Sequence, residues 1–315
     1  MQELLRGFLL ITASAGAVGI LHLVHLSFKE YSSEFLVRRG RLIDAALTPA
    51  GGTEANEKFW LRITSSSSLA VDCGLLVPRE RGKRFPVIIV LGGKATGKDA
   101  VDFALELDDV IIAAPDYLYK PRHSYTLPQF LVDVPAIRRA LLDMVPAVML
   151  LSDYLFTRPD VDTTKLVIVG YSFGAPFVPV IVAHDRRAAV AAIVYGGGDL
   201  QSLIRHNVRR YEGPVMSEFV ARLGGLLLRP IEPLRYIHDV SPTPLIMING
   251  TQDEQIPRHN AELLYAAARE PKTHVWIESK HVHPRNPALT RQIIKTLRRE
   301  LSALGVLNAG TEQPP

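Results

Sequence analysis

A single cysteine, Cys73, is present in 315 residues. A lone thiol cannot close an internal disulfide, and no second cysteine offers a metal-ligand spacing. Cys73 stands in the alternating apolar stretch 69–77, the setting of a packed strand residue rather than a nucleophile. The chain also lacks any lysine/arginine run. Its 36 basic residues exceed its 32 acidic ones by only four, and the arginine pairs at 38–39, 138–139, 186–187 and 209–210 are scattered. Nothing in this distribution tracks a phosphate backbone, so nucleic acid is not an expected partner. The small excess reads as solvated surface, compatible with anionic lipid. No internal repeat and no long low-complexity linker interrupts the chain. With 47% hydrophobic and 22% charged residues it has the balance of a folded globular protein, and its length permits one large core.

The N-terminus holds a charge-free run, Phe8 to Leu26. Its roughly 19 residues approach the roughly 20 that a membrane-spanning helix needs. Residues 1–30 are expected to be a hydrophobic helix that anchors the protein to a membrane. The small residues Ala13-Ser14-Ala15 and Ala15-Gly16-Ala17 leave a cleaved export signal as the alternative, and a helix capping the globular part as a third. Arg6 on one flank and Lys29, Arg38, Arg39 and Arg41 on the other leave the side of the membrane open.

From residue 31 to 304 the pattern alternates between strand-like and helix-like stretches. Segments 59–64 and 69–77 alternate apolar and polar residues around Ser65–Ser68, as an antiparallel hairpin at a sheet edge would. Solid apolar runs follow at 86–91, 110–114, 166–169, 189–195 and 245–248, with a weaker one at 274–277. Such runs fit parallel strands covered on both faces. Helical spacing falls at 127–154, with Pro135 or Pro146 expected to break it, and at 173–184, 260–269 and 288–301. The expected fold is α/β, a doubly wound, mostly parallel, eight-stranded sheet. Residues 200–239 exceed a plain crossover and carry the apolar patch 223–228, so a small helical lid is expected there. Residues 305–315 read as a frayed tail.

The sharpest signal is Gly170-Tyr171-Ser172-Phe173-Gly174, placed between the apolar strand Leu166–Val169 and a helical stretch. A serine held in a tight strand-to-helix turn presents its hydroxyl clear of the sheet, and very small residues two before and two after it avoid collision with neighbouring backbone. A serine hydroxyl is a weak nucleophile and needs a base, itself oriented by a third group. Downstream, Asn249-Gly250-Thr251-Gln252-Asp253 leads from a strand into a loop with a well-placed acid. Asp253 is the preferred acid, with Glu254 and Asp199 as alternatives, Asp199 serving equally well as a helix N-cap. Ser279-Lys280-His281-Val282-His283 follows the last strand. His281 is the preferred base and His283 the alternative. The N–H groups of Phe173 and of Gly93, with Lys94 next to it, are candidate oxyanion donors.

Together these motifs resemble the α/β-hydrolase superfamily over about residues 58–304, nearest to the dienelactone hydrolases, acetyl xylan esterases and acyl-thioester hydrolases. The resemblance rests on Gly170–Gly174, on Gly250-x-x-Asp253-x-x-x-Pro257, on His281, on the run ending at Leu91-Gly92-Gly93, and on Arg158-Pro-Asp-Val-Asp162. It implies a serine hydrolase of small acyl esters or thioesters, working through an acyl-enzyme without cofactor or metal. Two positions depart from the usual pattern: Leu91 where many members carry His, and Lys280 where many carry Gly. Peptidase activity ranks lower, since no propeller domain precedes the core. Two other classes compete. Gly92-Gly-Lys-Ala-Thr-Gly97-Lys98 nearly matches a phosphate-binding loop, with Asp116 as a possible metal acid, but Asp99 stands where that loop requires Ser or Thr. A membrane-anchored binding protein that keeps only the fold is the other.

Overall fold

In the computed structural model, residues 2–94, 96–105, 107–120 and 127–308 are described. Nine strands form one sheet in the order β1-β2-β3-β5-β4-β6-β7-β8-β9. They are β1 Leu42–Gly52, β2 Asn56–Ser65, β3 Ala70–Pro78, β4 Phe85–Leu91, β5 Ile111–Pro115, β6 Val161–Tyr171, β7 Val190–Val194, β8 Leu245–Gly250 and β9 Lys272–Ile277. The first three are antiparallel, and β3 joins β5 in antiparallel register, Cys73 opposite Pro115. From β5 through β4 to β9 every pairing is parallel. Strands β5, β7 and β8 are buried along their whole length, as their unbroken apolar runs require. Cys73 is fully buried, and burial pushes its thiol pKa up, away from the reactive thiolate.

The expectation of eight strands is corrected to nine. The extra one, β1, is an edge strand exposed along most of its length. With no face to bury it carries no apolar alternation. Pro49 and the Gly51-Gly52 pair also read against a strand, yet an edge tolerates a residue that cannot donate to the ladder. A second correction concerns the prolines. Helix α3 runs unbroken from Leu127 to Thr157 with Pro135 and Pro146 inside it. A proline inside a helix costs about 3 kcal/mol, but Met144 to Leu151 and Leu155 lie almost wholly in the core, and packing of that kind outweighs local propensity. Residues Val132–Thr157 are long and apolar enough to cross a membrane, yet 72% of their most apolar window is buried inside the protein.

Helices α1 Gln2–Phe28 and α2 Ser32–Arg39 precede the sheet. The insertion comprises α5 Leu200–Val208, α6 Pro214–Leu228 and three short 3₁₀ turns ending at Asp239. The remaining helices are α4 Phe177–His184, α7 Arg258–Ala267 and α8 Pro287–Ala303. One core lies between the sheet and α3 and α4, with Phe35 of α2 built into it. The other lies between the opposite face, the 3₁₀ helix Gly97–Ala104 and α8.

The end of α1 is tied to the insertion through one buried cation. Arg138 of α3 donates to the Leu26 carbonyl at 2.7 Å, to the Tyr31 hydroxyl at 2.6 Å and to the Leu227 carbonyl at 3.4 Å. Leu26 and Leu227 are in the last turns of α1 and α6, whose final carbonyls have no partner within their own helices and whose dipoles favour a positive charge. Ser27 Oγ is 2.5 Å from the Leu226 carbonyl. Replacing Arg138 with Met should lower stability by about 2–3 kcal/mol, because buried carbonyls lose a charged donor. The shift of the urea unfolding midpoint reads this, and an unchanged midpoint would count against the clasp.

Candidate active site

The parallel strands all present their carboxyl ends to one rim, and the loops leaving that rim carry the candidate residues. The chain winds one way from β4 to β5 and the other way from β4 to β6, and such a reversal opens a crevice. Ser172 follows β6, Asp253 follows β8, His281 follows β9, and Gly93 follows β4.

Ser172 has φ of 50°, the left-handed region that L-residues with a side chain rarely occupy. The elbow is possible because its flanks are bare. A Cβ on Gly170 would lie 2.5 Å from the Gly174 carbonyl oxygen, and one on Gly174 would lie 2.2 Å from the Leu91 carbonyl oxygen. Gly174 thus lets the turn rest directly on the end of β4, the strand that leads into Gly92-Gly93.

Ser172 Oγ lies 2.7 Å from His281 Nε2. His281 Nδ1 lies 2.8 and 2.9 Å from the two carboxylate oxygens of Asp253. With Nδ1 donating to Asp253, Nε2 is left to accept from the serine hydroxyl. Asp253 is in turn held by the N–H groups of Gln255 and Ile256, at 2.8 and 2.9 Å on Oδ1. The side chains of His281 and Asp253 are 5% and 1% exposed, so their pairing is shielded from solvent. The two loops are stitched together: Gln252 N–H donates to the Ser279 carbonyl and Thr251 N–H to the Ile277 carbonyl.

The alternatives take other places. His283 Nδ1 accepts from Arg285 N–H at 3.1 Å. Glu254 accepts from the His281 N–H at 3.3 Å. Burial works against its ionisation, but its own N–H, that of His281 and nearby positive charge hold the carboxyl below the usual range. Asp199 caps α5, accepting from Ser202 N–H. In the phosphate-loop look-alike, Lys98 lies over the Trp60 ring at 4.3 Å, and the loop runs into a 3₁₀ helix rather than an α-helix. Among the described residues no group of three or more His, Cys, Asp or Glu side chains comes together to hold a metal.

Two tyrosines that sequence reasoning passed over complete the surroundings. Tyr117, just after β5, donates its hydroxyl to the Gly92 carbonyl and sets its ring edge-on to Phe173 at 4.9 Å. It therefore touches the loops of both candidate oxyanion donors. Tyr195, at the end of β7, has φ of 54° and is fully buried. Its ring stands edge-on to His281 at 5.6 Å, and its hydroxyl bonds to Ser279 Oγ. Neither residue sits in a recognisable motif; only the folded sheet brings them to the site.

Residues 143–286 match the model of the prolyl oligopeptidase family of peptidases. An uncharacterized protein of Salmonella typhi, YfhR, is 31% identical over 125 residues, which is 40% of this chain and 42% of that protein. The chain therefore matches less than half the length of this curated relative. The fold resembles acetyl xylan esterase 1 from a Thermoanaerobacterium species, with a TM-score of 0.60 at 16% identity, covering 85% of this chain and 94% of the other. It also resembles an acetyl xylan esterase from a Paenibacillus species, with a TM-score of 0.63 at 13% identity, covering 84% and 93%.

Gly174→Ala tests the elbow. The added methyl has backbone, not a flexible side chain, in its way, so the variant should lose about 1–3 kcal/mol of stability. Both the thermal midpoint and labelling of Ser172 by a fluorophosphonate should fall; a variant matching the parent in both would overturn the packing argument.

Proposed function

We propose that this chain is an α/β-hydrolase in which Ser172 is the nucleophile of an enzyme that cleaves carboxylic esters or thioesters through an acyl-enzyme. The observation that carries this reading is the continuous row Ser172–His281–Asp253, with contacts of 2.7 and 2.8 Å. His281 takes the serine proton as Oγ attacks the acyl carbon, then gives it to the leaving alcohol or thiol. In the second half it takes a proton from water as the water oxygen attacks the acyl carbon, and returns it to Ser172 Oγ as the acid leaves. Asp253 holds the imidazole in the tautomer that leaves Nε2 free to accept, and steadies the imidazolium that forms. The N–H groups of Gly93 and Phe173 are the assigned donors to the oxyanion.

The match to a peptidase family and the likeness to two acetyl xylan esterases both support acyl transfer to a serine. Ester cleavage is preferred over peptide cleavage because the cavity beside Ser172 is small and apolar, about 280 Å³. The charge-free run 8–26 within α1, with Val18 and Leu21 exposed, supports attachment to a membrane.

Ser172→Ala should lower turnover of p-nitrophenyl esters by about 10³-fold or more, and Asp253→Asn by about 10³–10⁴-fold, since the wrong imidazole tautomer is then favoured. Stopped turnover assays on folded variants read both, and full activity in either would overturn the assignment. Deleting residues 2–22 should move the protein from the membrane pellet to the supernatant after a carbonate wash. A full-length chain already in the supernatant would remove the anchor.

A further inference from the structure

The cavity that opens beside Ser172 does not run outward under the 200–239 insertion. It runs inward, between the sheet and the two elements on its opposite-core face. Beyond Ser172, His281 and the Gly92-Gly93 loop its walls include Val90 of β4, Val169 of β6, Ala100 and Ala104 of the 3₁₀ helix, and Ile294 and Leu297 of α8. None of residues 200–239 lines it. The chamber exists because small residues face it: Ala100 and Ala104 leave room that longer aliphatic side chains would fill.

Three of the polar side chains along this chamber are engaged within the protein, while Lys94, Gln255 and His283 also line it. Thr96 Oγ1 donates to the Gly93 carbonyl, and Thr290 Oγ1 to the Asn286 carbonyl. Arg298 forms an ion pair with Asp109, so its charge is answered within the protein. A bound group entering here meets mostly aliphatic walls, which suits a hydrocarbon chain better than a sugar. A water's share of liquid volume is about 30 Å³ and a methylene is of similar size, so a cavity of about 280 Å³ has room for roughly nine such groups.

We propose that this chamber binds an unbranched alkyl arm of the substrate, about six to ten carbons long, and so sets the enzyme's preference for medium-chain esters or thioesters. This rests on Ser172 being the nucleophile, as argued above. The arm enters from the reacting carbon at Ser172 and lies between β4, β6 and α8, with Ile294 among the side chains that bound it. The shared chemistry is the alkyl chain; it belongs either to the acyl group or to the alcohol.

The test is kcat/KM of the full-length protein on two series: p-nitrophenyl esters from acetate to dodecanoate, and alkyl acetates from methyl to dodecyl. Burial of one methylene can contribute up to about fourfold, so one series should rise at least about tenfold from two carbons to eight and fall beyond ten. The series that rises identifies the arm. Ile294→Phe, which fills the chamber, should move the optimum to shorter chains, and Ile294→Ala should move it to longer ones. The ratio of octanoate to acetate rates is the readout, so a change in the amount of folded enzyme cancels. If acetate is cleaved and neither series rises, or if neither Ile294 variant moves the optimum, the chamber assignment is overturned. If nothing is cleaved and a fluorophosphonate does not label Ser172, the hydrolase reading itself fails.

Discussion

The whole site depends on one backbone contact, that of the elbow on the end of β4. Gly174 lies so close to the Leu91 carbonyl that a single methyl would not fit between them. This contact fixes three things at once. It sets Ser172 in its left-handed conformation, it seats the start of α4 on the sheet, and it holds the Gly92-Gly93 loop at a defined height beside the serine. A preorganised donor is useful only if it does not have to move when charge develops. Tyr117 reinforces the same geometry from the other side, with its hydroxyl on the Gly92 carbonyl and its ring against Phe173. Ser172 and the Gly92-Gly93 loop are therefore parts of one corner.

His281 and Asp253 are held by a second device. Loops after β8 and β9 are hydrogen-bonded to each other through Thr251 and Gln252, and a Cβ on Gly250 would lie 2.6 Å from the Ser279 carbonyl oxygen. Tyr195 fills the space behind His281 from β7. The imidazole has a hydrogen bond at each end and an aromatic ring beside it. The insertion supports this loop as well: His206 lies 3.0 Å from the Glu254 carbonyl, and Asn207 donates to the Gln255 carbonyl. Its role in the structure is to buttress the acid loop and receive the end of α1, while the alkyl chamber is made by the sheet and α8.

Much of this was legible in the sequence because the constraints there are local. An apolar strand running into Gly-x-Ser-x-Gly demands a particular turn, and an acid and a histidine placed after successive strands must reach the same rim in a parallel sheet. What was not legible depended on partners far along the chain. Strand β1 has no buried face and so no period. The continuity of α3 through Pro135 and Pro146 is decided by the core around Met144 to Leu151. The clasp of Arg138 joins three helices, and arginine pairing at 138–139 looked like solvated charge. Tyr117 and Tyr195 bear no motif, and the chamber is a matter of what Ala100 and Ala104 leave empty.

The order in which the site's parts lie along the chain has a consequence for biosynthesis. Domains emerge from the ribosome amino end first, and the parts arrive in the sequence oxyanion loop, nucleophile, acid, base. Strand β9 is the outer edge of the sheet and His281 follows it. A nascent chain that has not yet released β9 holds its serine hydroxyl without an imidazole to take the proton. On the proposed reading, Ser172 stays without its base until the segment carrying β9 and His281 has emerged and joined the sheet.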